Sequence, residues 1–173
     1  ILSSRTLRQA LQKGINTNQL RSITSDGGRL DYPILSDQIN LNFPALPAYN
    51  PEEAHNAMGS LELPEGAELS IATVSTGRLP EIAEQLSAEL RNLGLPSKVN
   101  VYEPTQDFLV GVLRPRAYDI LIYEVELVPD PDLFAYYHSS QANSAGINLS
   151  NYKNVVADDL ILAARSTMDP ELR

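Results

Sequence analysis

Glu124 and Glu126 stand two apart in a segment that reads as the end of a β-strand, a spacing that turns both carboxylates to one side. Together they can receive an ammonium or another cation if the following loop folds over a cleft. They sit too close along one strand to act as an acid and a base flanking a scissile bond, and no nucleophile stands beside a base elsewhere. The chain therefore reads as a non-enzyme. A solvated strand end is the plain alternative for the two glutamates. Asp130 and Asp132 bracket Pro131, but a hard cation takes about six to eight oxygens and the prolines restrict this loop. His55 and His138 lack the paired spacing of a zinc site or a histidine-based triad. No metal site and no cofactor are predicted. Tyr136 and Tyr137 can stack on a sugar or, with Leu133 and Phe134, anchor a short helix. Asn148, Ser150, Asn151, Tyr152 and Asn154 form the densest cluster of neutral hydrogen-bonding side chains, suited to an uncharged or zwitterionic solute and equally to turns. Asn154 reads first as a helix cap, and Asn148 stays open as a ligand-binding candidate.

These residues need elements to hold them. Leu7, Ala10, Leu11 and Ile15 recur at helical spacing behind Ser3 and Ser4. Asn16 with Gln19 is a capping-box pattern for a short second helix toward Ile23, broken by Asp26-Gly27-Gly28. Prolines and scattered apolar residues from Arg29 to Tyr49 predict a loop over the core. Asn50 and Pro51 start a third helix through Met58. Ala67, Leu69 and Ile71 alternate as a strand, and Leu79, Ile82, Ala83, Leu86, Leu90 and Leu93 line a helical face that ends at Gly94. Val99 and Val101 give a second strand, Phe108 to Leu113 a short helix, and Ile120-Leu121-Ile122 a third strand, apolar on both faces. The alternation implies parallel pairing by right-handed crossovers, with Tyr118 to Val125 buried at the centre of the sheet. Ligands of such sheets sit beyond the C-terminal strand ends, which singles out Tyr123, Glu124, Val125, Glu126 and Leu127.

Composition narrows the partners. A chain of 173 residues with 43% hydrophobic and 20% charged residues fits one globular domain. Its formal net charge of −9 repels a phosphate backbone, so nucleic acid is not an expected partner. The absence of cysteine removes disulfides, thiolate metal sites and thiol nucleophiles. No run is long and apolar enough to span a bilayer. Asp169-Pro170-Glu171 reads as a helix start shortly before Arg173, which suggests a fragment of a longer chain.

The order of signals in the last third carries a resemblance. Tyr118-Asp119, Asp130-Pro131, Ser139-Ser140, Gly146, Asn148, Ser150, Tyr152, Asn154, Asp158, Leu160, Ala164-Arg165, Asp169 and Arg173 follow one another. That series resembles the C-terminal lobe of extracellular solute-binding proteins of ABC importers, in family 5, which holds the oligopeptide, dipeptide and nickel binders. Arg8-Gln9-Ala10-Leu11 with Gly14-Ile15-Asn16 resembles the helix that opens this lobe. The resemblance implies an α/β fold, a periplasmic-binding-protein-like lobe with a largely parallel central sheet flanked by helices. Residues 1–173 would be a single domain, one lobe of a two-lobed receptor whose N-terminal lobe lies elsewhere in the same chain. It implies capture of a peptide or other small solute outside the membrane, in the periplasm or at the cell surface on a lipid anchor, and delivery to an ABC permease. In peptide-binding members an aromatic residue and then an Asp, which holds the peptide amino group, follow the third strand. Registered on Asp130-Pro131, Glu124 stands at the aromatic position and Leu127 at the Asp. The alternative implied by these departures is an extracytoplasmic protein-interaction module whose ligand pocket has decayed.

Overall fold

The computed structural model describes residues 1–24, 47–125, 132–143 and 145–169. The expected break at Asp26-Gly27-Gly28, most of the loop over the core, Glu126, Leu127, Asp130 and the helix start at Pro170 lie outside the described residues. The chain divides into two compact units, Ile1–Pro104 with Tyr118–Val125, and Thr105–Ala117 with Glu126–Arg173.

The first unit is built on a three-stranded parallel sheet in the order β2-β1-β3, with β1 Leu69–Val74, β2 Ser97–Tyr102 and β3 Ile120–Ile122. Ile71 stands opposite Val99 on one side and Ile120 on the other. The parallel sheet is as expected, but its centre is not. Among the described residues β3 is a short, half-buried edge, and the buried central strand is β1. Ile-Leu-Ile suggested a strand covered on both faces, whereas β1 carries two hydroxyl residues, Ser70 and Thr73. Inside the sheet those hydroxyls are satisfied: Thr73 Oγ1 donates to the Ile122 carbonyl at 2.9 Å, and Ser70 Oγ accepts from the Asn100 amide at 3.1 Å. A polar residue so paired can be buried at little cost.

Among the described residues, helices α1 Arg5–Gly14, α2 Thr17–Arg21, α3 Pro51–Gly59 and α4 Leu79–Asn92 accompany the sheet in this unit. Ser4, Asn16 and Asn50 each cap a helix, accepting from the backbone N–H of Leu7, Gln19 and Glu53. The apolar stripe of α4 enters the core through Ala83, Leu86 and Leu90, where it meets Leu7, Leu69 and Ile71. Gly94, at φ +80°, stops this helix, and the Leu95 N–H returns to the Leu90 carbonyl at 2.9 Å. That turn delivers the buried Leu95 to the core immediately before β2.

The second unit begins with α5 Gln106–Phe108, which runs without a break into a π-helical turn, Leu109–Leu113. Phe108, Val112 and Leu113 are its buried apolar side chains among the described residues. It continues with α6 Leu133–Tyr137, a 3₁₀ turn at Ser139–Gln141 and α7 Val155–Ser166. With so few buried apolar groups, polar interactions carry much of its definition.

Candidate functional site

At the C-terminal end of the sheet, β3 runs out into Tyr123, Glu124 and Val125, and all three are exposed, Tyr123 at 41% and Val125 at 43%. Glu124 follows the last strand residue by two, so its carboxylate stands at the sheet rim where backbone direction is no longer set by ladder partners. The neighbouring strands add polar groups at the same end. The Ser75 N–H donates to the Tyr102 carbonyl at 2.8 Å, and Ser75 Oγ donates to Glu103 Oε2 at 2.9 Å. Strand order puts Glu103 and Glu124 on opposite sides of Ser75, giving the rim two carboxylates and a hydroxyl. Sequence reasoning missed Ser75 and Glu103. The signal was available, since each directly follows a strand of the same parallel sheet.

Asn148 lies in the second unit and is fully buried, at 0% exposure. Its Nδ2 donates to the carbonyls of Tyr152 at 2.8 Å and of Tyr137 and His138 at 3.3 Å. Its Oδ1 accepts from Ser150 Oγ and from the Tyr152 N–H, both at 3.1 Å. The amide is thus engaged at both ends by its own chain. Asn154 caps α7, accepting from the N–H groups of Val156 and Ala157.

Arg116 completes this polar knot and was invisible in the sequence. Its backbone is left-handed at φ 57°. One guanidinium nitrogen donates to the carbonyls of Leu113 and Arg114, and the other to those of Asn143, Gly146 and Asn148, the shortest to Leu113 at 2.6 Å. Every acceptor is a backbone carbonyl, so the cation binds the turn directly.

The remaining candidates have local partners. Asp132 caps α6 and pairs with Arg165 at 3.0 Å, and the Arg165 guanidinium lies 4.6 Å from the centre of the Phe134 ring. Tyr137 meets Tyr152 edge to face. The ring nitrogens of His55 approach the carbonyls of Pro51 and Asn92, each at 2.8 Å, tying α3 to the end of α4. His138 Nδ1 accepts from the Ser140 N–H at 3.1 Å.

Asp158, in the first turn of α7, accepts from the Ser139 N–H at 2.8 Å. Hydrogen bonds from the Ser139 backbone and hydroxyl, aided by the charge of His138, hold its carboxyl below the ordinary aspartate value of 3.8. A depressed carboxyl stabilises the fold above its unfolded value, and that contribution fades as pH falls through the folded value. The stability gap between wild type and Asp158→Asn is therefore expected to begin narrowing as pH falls below about 5 and to keep narrowing in more acid solution. Urea unfolding of both proteins across this range checks it, and a gap independent of pH would refute it.

No protein-family model matches the chain, and no curated protein matches it. Solved structures do. The oligopeptide-binding protein AppA of Bacillus subtilis, in complex with a nonapeptide, is 22% identical with a TM-score of 0.78, over 98% of this chain and 37% of its own. NikZ of Campylobacter jejuni, in complex with Ni(L-His), is 25% identical with a TM-score of 0.76, over 99% of this chain and 38% of its own. The ABC transporter-associated periplasmic binding protein DppA of Helicobacter pylori, in complex with a peptide, is 22% identical with a TM-score of 0.78, over 97% and 34%. The chain thus spans little more than a third of the length of each. No helix of the described residues is long and apolar enough to cross a membrane.

Proposed function

From a fold shared with the family 5 solute-binding proteins of ABC importers, we propose that these residues form one lobe of a longer receptor. It captures a peptide or another small solute outside the membrane and hands it to an ABC permease. In this reading no bond is made or broken. A second lobe closes over the solute, and contacts made only in the closed state favour closure.

The observation that carries the reading is the rim after β3, where Tyr123 and Glu124 are both exposed to solvent. We assign Tyr123, Glu124, Val125, Glu126 and Leu127 to the solute-binding surface, with Glu124 and Glu126 receiving a cationic group. Glu103, beside Ser75 on the same rim, adds to the negative potential there. Asn148 contributes differently: with its amide committed to the Tyr137–Tyr152 segment, it supports that loop rather than reaching solvent.

Thermal-shift screening of the full-length protein against peptides, amines, sugars and metal ions tests this, because a specific ligand raises the melting temperature by mass action. A cationic or amino-bearing solute is expected to give the shift. Glu124→Gln is expected to weaken its binding about tenfold, the loss of one charge-assisted hydrogen bond at a partly solvated site. Binding of a neutral sugar with no effect of Glu124→Gln would sink the cation assignment. Silence towards every solute would favour the protein-interaction module.

A further inference from the structure

Strand β3 is short and apolar throughout, Ile120-Leu121-Ile122, with all its side chains half-buried. Such a strand specifies its own register poorly. A slip by one residue exchanges the two faces, and here it would put Leu121 where an isoleucine stood, with little change in apolar burial. The structure nevertheless holds one register, Ile71↔Ile120, Ala72↔Leu121 and Thr73↔Ile122. Side chains secure both ends of it. At the start, Asp119 Oδ2 accepts from the Ser70 N–H at 2.8 Å while the Asp119 N–H donates to the Ser70 carbonyl at 3.0 Å. At the finish, the fully buried Thr73 donates its hydroxyl to the Ile122 carbonyl at 2.9 Å. Successive backbone groups of a strand point to opposite neighbours, so neither side-chain bond can be remade one residue along, and a slip of about 3.3 Å breaks both.

We propose that Asp119 and Thr73 set the register of β3 and are thereby positioning residues for the rim. Tyr123 and Glu124 follow Ile122 directly, so the Thr73 bond fixes the point from which they depart. Counted on from Thr73↔Ile122, Glu124 comes level with Ser75, as Glu103 does when counted on from Val74↔Tyr102. A slip of one residue would bring Tyr123 or Val125 to that level, an aromatic or aliphatic side chain in place of a carboxylate. The consequence for solute choice rests on the reading of the rim as a binding surface, whereas the register itself does not.

The absence of cysteine makes the test direct. In the full-length protein refolded in a glutathione redox buffer, Ala72→Cys is combined either with Leu121→Cys, level with it on one face, or with Ile122→Cys, one step on and turned to the opposite face. Mass spectrometry after proteolysis measures each disulfide, and the first pair is expected to be favoured at least about tenfold, because the second has its Cβ vectors pointing apart. The shared Ala72→Cys cancels in the ratio. Adding Asp119→Ala with Thr73→Val is expected to narrow the preference about tenfold, since a charge-assisted and a neutral hydrogen bond no longer oppose the slip. Asp119→Asn with Thr73→Ser, which keep the acceptor oxygen and the donor hydroxyl, are expected to retain it. A merely stabilising role would lower both yields and leave their ratio alone; that result overturns the proposal, as does loss of the preference in the conservative variant. Should the double substitution fail to fold, Asp119→Ala alone, at an exposed position, carries the same comparison. No solute enters this measurement. A preserved ratio therefore defeats this inference alone, and a narrowed ratio in a protein silent towards every solute defeats the receptor reading alone.

Discussion

Asn148→Ala is expected to cost about 2–4 kcal/mol of stability, the loss expected when several buried polar groups lose their partners at once. The side chain is fully buried, and its amide meets the carbonyls of Tyr137, His138 and Tyr152 as well as the Ser150 hydroxyl and the Tyr152 N–H. Alanine removes all five directed contacts at once, more than one water can restore. Asn148→Asp keeps the shape and discards the donors, setting a carboxylate against three carbonyl oxygens, and should be at least as damaging. Urea unfolding gives the energy, and amide exchange at Tyr152 reports whether the loop itself opens. A loss below about 0.5 kcal/mol, the level of an ordinary surface substitution, would show that the network contributes nothing.

That residue also marks how far sequence could reach. The cluster of Asn and Ser around position 148 was visible as a polar anomaly, and Asn154 was legible as a cap because a cap is a local bond between near neighbours. The same locality made Asn16, Asn50 and Gly94 readable. Whether the Asn148 amide faces a solute or its own chain depends on Tyr137 and His138, ten or more residues away, and no periodicity encodes that. Arg116 was unreadable for a similar reason, since its acceptors include Asn143 and Gly146 and its left-handed backbone has no sequence signature in an arginine. In the sheet, the alternation that found β1 concealed its central place, because Thr73 is buried by a bond to the neighbouring strand. The Tyr123-Glu124 rim was found because a parallel strand's C-terminal end follows from the order of elements alone. Ser75 and Glu103 required knowing which strands are neighbours.

Gly146→Ala is expected to be the more severe change, at about 3 kcal/mol or more, above the usual range for an added methyl group. A Cβ at this position would lie 2.1 Å from the Gln141 carbonyl oxygen and 2.6 Å from the Gln141 carbonyl carbon. Both are backbone atoms, and that oxygen already accepts from the Asn148 N–H at 3.1 Å, so it has no rotamer to escape into. Relief requires the turn to move, and the Gly146 carbonyl then leaves the Arg116 guanidinium, now 2.8 Å away. Gly14→Ala provides the contrast. Its Cβ would meet Leu93 side-chain atoms at 2.6 and 2.8 Å and the Ala54 Cβ at 2.8 Å; the leucine can rotate, but the Ala54 Cβ moves only with its backbone, so α1 and α3 must also part slightly. A loss of about 1–3 kcal/mol is expected there, the ordinary scale of an overpacked core. At Gly111 a Cβ meets nothing within 4 Å, so alanine in that helical turn should be neutral or slightly stabilising. Denaturation midpoints for the three variants should therefore rank 146 below 14 below 111. If Gly146→Ala proved no worse than Gly14→Ala, the turn would be free to relax, and the rigidity assigned to the Arg116–Asn148 network would be lost with it.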